Sequence, residues 1–262
     1  MDILKGIIIR GIYFLILGGI VYFLTLKLKF KYNGWDLNNP RKNAIYALAA
    51  TCTSVFLIII LIYSRSISNS TSGIETNVTY NFSIVLSNII LYLVIISPVL
   101  LTKKFLKQSW TSTGISKRNL KKSVIVGIIA GIIYIILSLI YMDINIIIVI
   151  ARLNISYFWG LVYFSTVGFC EEFIFRGYLQ TRLMAYIGKN EGWIATSVLM
   201  ASMHLFQRIF IAGLSLSEAF VSIFYLILFS LFLGYMRIKT ENIIAPAIFH
   251  TLYDWVNTLL TE

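Results

Sequence analysis

Eight apolar runs separated by shorter polar stretches divide the chain, at roughly 6–26, 44–63, 83–102, 123–142, 160–180, 193–212, 219–236 and 242–260. Each approaches ~20 residues, the length at which a helix crosses a ~30 Å hydrocarbon core. The pattern predicts an all-α, polytopic membrane bundle of about eight transmembrane helices. No polar stretch between the runs is long enough to bury a core of its own. The fifth run is unusual, because its apolar character extends from Tyr157 to Met184 with charges in the middle. After the fourth, "SLIYMDINIIIVIARLNI" leaves room for an extra interfacial or re-entrant turn. The runs divide into three N-terminal spans with basic connections (residues 1–122) and a core of about five helices (residues 123–262). No repeat of 20–50 residues marks a solenoid.

Composition agrees with a membrane setting. The chain is 58% hydrophobic and 13% charged, with a mean hydropathy of +0.84. Soluble domains carry about 25% charged residues. The first run is too long and too weakly terminated for a signal peptide, and no small-residue cleavage site follows it, so it is expected to remain as a span. The two cysteines, Cys52 and Cys170, both fall inside runs, and neither a disulfide nor a CxxC metal site is expected.

Charge then orients the bundle. The net charge of +11 has no soluble basic face to serve, so nucleic acid is not an expected partner. The excess sorts instead between alternate loops. Of the 22 Lys and Arg, only Lys5, Arg10, Arg65, Arg152 and Arg208 fall on one side. The positive-inside rule therefore predicts a cytoplasmic location for the long basic connections and an outside location for both termini. The loop "SRSISNSTSGIETNVTYNF" reads as solvated linker, and "KKFLKQSWTSTGISKRNLKK" as a basic segment resting on anionic lipid headgroups.

Against this background the charged groups inside the runs are the candidates for chemistry. In "FCEEFIFRGY", Glu172 and Arg176 are four apart and share a helical face. Glu171 lies about 100° around the helix and is left for another task. His204 ends "LMASMH", and His250 precedes Asp254 by four in "HTLYD". The chain's only two histidines thus lie inside spans, at a depth close to that of Glu171. A lone intramembrane histidine can simply bond a neighbouring helix, and a Cys170 nucleophile with a histidine base is a minor alternative. Three polar clusters at one depth are harder to explain as packing. Pro246 either starts the last helix or kinks it, freeing the carbonyl of Asn242.

These residues resemble the CAAX prenyl protease and bacteriocin-processing (CPBP, or Abi) family of intramembrane proteases. "EEFIFR" matches its E-E-x-x-x-R motif; "MASMH" and "HTLYD" follow in the family's order, over about residues 120–260. Met200 stands where the family often has Phe, a change expected to affect packing more than chemistry. The resemblance implies that Glu171 and His204 activate water for attack on a peptide carbonyl. Glu172 with Arg176 would hold the helix and orient Glu171, and His250 would stabilise the oxyanion, supported by Asp254. Asp254, where asparagine also occurs, would either be protonated or orient His250 as a cation. Glu171, His204 and His250 could also ligate zinc, the one cofactor considered; the H-E-x-x-H helix of many zinc peptidases is absent.

The expected activity is a membrane-embedded endopeptidase acting on short or membrane-associated peptides or lipidated proteins. The Ile-, Asn- and Lys-rich composition suits an AT-rich bacterium and favours peptide processing, regulation or bacteriocin immunity in a bacterial plasma membrane. A non-catalytic peptide-binding or immunity protein on the same scaffold is the alternative. A proton-coupled transporter would need inverted repeats and paired broken helices, which the sequence lacks.

Overall fold

In the computed structural model of the chain, which describes residues 2–32, 34, 37–71 and 79–261, every apolar run is helical. The first four helices are α1 (Asp2–Lys27), α2 (Pro40–Thr71), α3 (Phe82–Phe105) and α4 (Leu120–Met142). The short α5 (Ile146–Arg152) precedes α6 (Ile155–Glu172), α7 (Gln180–Ile187), α8 (Lys189–Phe206), α9 (Leu216–Thr240) and α10 (Ile244–Thr261). A π-helical stretch, Phe173–Leu179, joins α6 to α7, and a second, Gln207–Ile211, extends α8. Among the described residues, seven helical segments are long and apolar enough to cross a membrane, with 155–187 counted as one. The eighth predicted run forms α10, which carries His250, Asp254 and Asn257 and is not among those seven.

Side-chain caps start many of these helices. Asn81 Oδ1 accepts from Ile84 N at 3.1 Å, and Asn154 Oδ1 from Ser156 N at 2.8 Å. Ser215 and Glu218 form a reciprocal capping box at the start of α9. Asn242 Oδ1 accepts from Ile244 N at 3.0 Å. Pro246 therefore sits in the first turn of α10 and starts that helix rather than kinking it. Thr240 Oγ1 lies 2.9 Å from the carbonyl oxygen of Asn242 and 2.8 Å from that of Met236, so its one proton is shared between them.

The bundle exposes apolar side chains on its outside, among them Leu15, Ile140 and Ile155 at 77%, 71% and 71% exposure. Such a surface is suited to lipid. Inside are two apolar cores. One joins α1, α4, α9 and α10 around Leu17, Phe232 and Phe249. The other joins α2, α3, α8 and the π-helical stretch around Ile95, Ile174, Tyr178 and Met200. α10 packs between α4 and α6. Small residues permit this close approach: a Cβ at Gly127 of α4 would lie 2.8 Å from the Ala245 carbonyl oxygen, and one at Gly168 of α6 would lie 2.9 Å from Thr251 Oγ1.

Several expectations change in detail. The fifth run spans 155–187, longer than predicted. α2 continues to Thr71, so much of the expected linker is helix, while residues 72–78 of that loop lie outside the described residues. The extra turn after the fourth span is α5, with Ile147 and Ile150 exposed. Arg176, Arg182 and Arg237 are fully buried, so they are not loop charges. The basic segment after α3 is bound to the protein as well as facing outward. Arg182 Nη1 donates to the Ser112 carbonyl at 2.9 Å, and Lys103 Nζ stands 3.9 Å from the Trp110 ring centroid.

Candidate active site

The two cores are joined by a polar chain running from α9 to α10. Arg176 Nη2 donates to Ser230 Oγ at 2.9 Å, and its Nη1 faces Glu172 Oε1 at 3.2 Å. The i, i+4 pairing expected for Glu172 and Arg176 is thus formed, although Arg176 lies in the π-helical stretch. The same Glu172 oxygen accepts from His250 Nδ1 at 3.0 Å. On the far side of the ring, His250 Nε2 lies 3.3 Å from Asp254 Oδ2. Both nitrogens of His250 therefore face carboxylates, which accept; the arrangement is satisfied when both nitrogens donate. Glu172 and Arg176 are fully buried, and His250 is 4% exposed. Glu172 Oε2 has no hydrogen-bond partner among the described residues, so a single oxygen holds both the arginine and the histidine.

Glu171 points elsewhere. With His204, His250 and Asp254 it lines a cavity of about 940 Å³. Its Oε1 accepts from the Tyr92 hydroxyl of α3 at 3.2 Å. His204 Nδ1 lies 3.1 Å from the Met200 carbonyl. A carbonyl only accepts, so Nδ1 donates; in the neutral ring Nε2 then keeps its lone pair. Glu171 from α6, His204 from α8 and His250 from α10 thus reach one cavity, and Asp254 extends the polar wall toward its mouth, where its side chain is 27% exposed. Phe229 packs edge-on against the His250 ring at 5.1 Å between centroids.

Both π-helical stretches begin close to these groups, one directly after Glu172 and one three residues beyond His204. Such bulges in α-helices recur at functional sites. The first carries Arg176 toward α9 while Glu171 and Glu172 remain in regular helix.

The spacing argument identified Glu171, Glu172, Arg176, His204, His250 and Asp254, and the structure gathers all six around one cavity and its wall. Glu172 differs in its partner, since it orients His250 in addition to holding Arg176. Met200 also differs. Its sulfur takes Arg176 Nη1 and, at 3.4 Å, Ser230 Oγ, so the position contributes to the polar chain as well as to packing. Tyr92 and Ser230 carry no sequence signal, because an isolated Tyr or Ser in an apolar span resembles ordinary packing.

As zinc ligands, the three candidate groups do not fit this arrangement. Among the described residues no group of three His, Cys, Asp or Glu has the geometry to hold a metal ion. Both His250 nitrogens are already directed at carboxylates.

Residues 152–256 match the family model described as type II CAAX prenyl endopeptidase, Rce1-like. The matched segment contains every candidate residue of the polar cluster, from Glu171 to Asp254. That segment is similar to the CAAX protease family. No curated protein and no solved structure matches the chain. A CAAX-type membrane endopeptidase acts on peptide bonds, and the apolar helices make this chain an integral, multi-pass membrane protein. Among the residues that reach the cavity, Gly6, Ile7, Arg10, Tyr92 and Tyr141 come from helices outside the matched segment.

Proposed function

We propose that the chain is a membrane-embedded endopeptidase in which Glu171 and His204 activate water. The observation that carries this reading is that Glu171 and His204, on different helices, line one cavity, with the Nε2 lone pair of the neutral His204 ring left unused. A water between them gives a proton to this pair as its oxygen attacks the peptide carbonyl carbon. Tyr92 holds one Glu171 oxygen and leaves the other for the water. His250 donates toward the developing oxyanion, its ring held from behind by Glu172. The contact from Nε2 to Asp254, at 3.3 Å, is long enough to be exchanged for the oxyanion. Collapse of the tetrahedral intermediate breaks the C–N bond, and the proton taken from water passes to the leaving amine.

The mechanism assigns every step to protein groups and water. The substrate is a short or membrane-associated peptide. The reading places the protein in a bacterial plasma membrane, in peptide maturation, regulation or immunity, supported by its Ile-, Asn- and Lys-rich composition. Both termini face outward, a placement supported by the Lys and Arg bias that remains once buried Arg176, Arg182 and Arg237 are set aside.

The test compares wild type with Glu171→Ala and His204→Ala at matched membrane levels, by mass spectrometry of peptides in membrane and medium. Both variants are expected to lose the same product while keeping the wild-type melting behaviour in detergent. Unchanged peptide profiles would sink the peptidase reading.

A further inference from the structure

The cavity has a direction. Besides residues of α3, α6 and α8, its lining comes from residues 6–10 of α1, residue 141 of α4, residues 218–229 of α9 and residues 250–258 of α10. These positions run toward the N-terminal ends of α1 and α9 and toward the C-terminal ends of α4 and α10. All of these ends lie on the face of the bundle that holds both chain termini. No lining residue comes from the opposite ends, where Lys27, Lys103 and Lys239 lie. Glu171, His204 and His250 form the cavity's inner end, and Asp254, Asn257 and Thr258 continue outward along one side of α10.

The mouth is also charged in a selective way. Arg10, Arg208 and Glu218 are among the residues that line the cavity. Glu218 is committed to its cap, where Oε2 accepts from Ser215 N at 2.9 Å. The two arginines have no acidic partner within ion-pair distance among the described residues. The Arg10 guanidinium carbon lies 4.6 Å from the Tyr225 ring centroid, a contact that orients it without neutralising it. Arg208 keeps a buried Nε without a hydrogen-bond partner among the described residues. Two guanidinium groups without an ion-pair partner among the described residues suit a carboxylate.

We propose that this site takes its substrate from the extracytoplasmic face, as a peptide bearing a carboxylate that Arg10 and Arg208 hold at the cavity mouth. The inference rests on the peptidase reading for its chemistry and on the charge bias for the identity of the face. It narrows the substrate class to exported peptides or the external segments of membrane proteins. Tails presented from the cytoplasm would meet the basic end of the bundle, which contributes no residue to this cavity. It also gives α1, which lies outside the matched family segment, a part in substrate recognition.

The access test needs no activity. In a Cys52→Ser background, with Cys170 buried, Ser222→Cys reports the cavity and Lys107→Cys reports the basic face. Each is exposed to a membrane-impermeant sulfonated maleimide in intact spheroplasts and in inverted vesicles. Ser222→Cys is expected to label from outside and Lys107→Cys only from the inverted side. Labelling of both from one side, or the reverse pattern, would overturn the proposal even if the enzyme proved active.

The recognition arm uses a quenched-fluorescent peptide library with paired members, each carrying an acidic residue, a free C-terminal carboxylate, or the corresponding amide. Arg10→Gln and Arg208→Gln are expected to raise KM about 10-fold for the carboxylate members that wild type prefers, leaving the amides unchanged. Loss on the acidic-residue members identifies a side-chain carboxylate, and loss on the free-terminus members identifies the C-terminus. Equal KM for all members in wild type and variants refutes recognition at the mouth. Absence of cleavage by wild type across the whole library alongside outward labelling would count against the peptidase reading alone.

Discussion

Glu172 and His250, 78 positions apart in the chain, meet through a 3.0 Å contact between Oε1 and Nδ1. This contact ties α6 to α10 and makes the orientation of the proposed oxyanion donor depend on a residue next to the proposed base. Because Arg176 shares the same oxygen at 3.2 Å, the charge of Glu172 serves folding while its position serves chemistry. The two roles separate by substitution. Glu172→Ala leaves a fully buried guanidinium without its carboxylate and is expected to destabilise the bundle by roughly 3–5 kcal/mol. Glu172→Gln also removes the anion but keeps an acceptor for His250 Nδ1 and Arg176, so it is expected to be destabilised less than Glu172→Ala and to retain more turnover. Thermal unfolding in detergent, read beside kcat, checks both; equal stability of the two variants would contradict the assignment.

Tyr92 presents a smaller and more local case. Its hydroxyl gives the only protein hydrogen bond that Glu171 receives among the described residues. Loss of one such bond corresponds to about 0.5–1.5 kcal/mol, so Tyr92→Phe is expected to lower kcat by roughly 3- to 10-fold. KM should stay near its wild-type value, because the bond positions the base rather than the substrate. A KM effect alone would instead make Tyr92 part of the peptide-binding wall.

Metal removal is expected to leave turnover intact. The grounds are the two carboxylates that occupy His250, 3.0 Å from Nδ1 and 3.3 Å from Nε2. Purified protein dialysed against a strong chelator should cleave at the untreated rate. Loss of activity restored by zinc would require His250 to leave at least one of those partners.

The sequence revealed more of the site than of its connections. Glu171, His204 and His250 are legible because a charged or imidazole group in an apolar run needs a reason to be there. The Glu172–Arg176 pair is legible from helical spacing, which survives the π-helical stretch. The Glu172–His250 contact is not, since it joins α6 to α10 and depends on how closely these helices pack. Burial of Arg182 and Arg237 was illegible for a related reason. Each lies near a span end, where a basic residue ordinarily faces headgroups, yet here both are fully buried at the basic end of the bundle. α10 was legible as a helix although its polar stripe weakens its apolar signal, and that stripe is the part facing the cavity.

Helix packing around the site depends on glycine as strongly as the chemistry depends on acid and imidazole. Gly127 and Gly131 lie four apart on α4, against α10. At Gly127 the obstacle to a side chain is the backbone oxygen of Ala245, 2.8 Å from where a Cβ would stand, and backbone cannot swing aside. Gly127→Val must therefore push α10 outward or fail to seat it. Because α10 carries His250 and Asp254, the displacement would also misplace the oxyanion donor. Overpacking of this kind costs roughly 1–3 kcal/mol, and activity is expected to fall further than stability. Gly19→Val is the control, since no atom lies within 4 Å of a Cβ there and the residue does not line the cavity. Equal activity of the Gly127 and Gly19 variants, at matched membrane levels, would show that the α4–α10 contact does not set the position of the site.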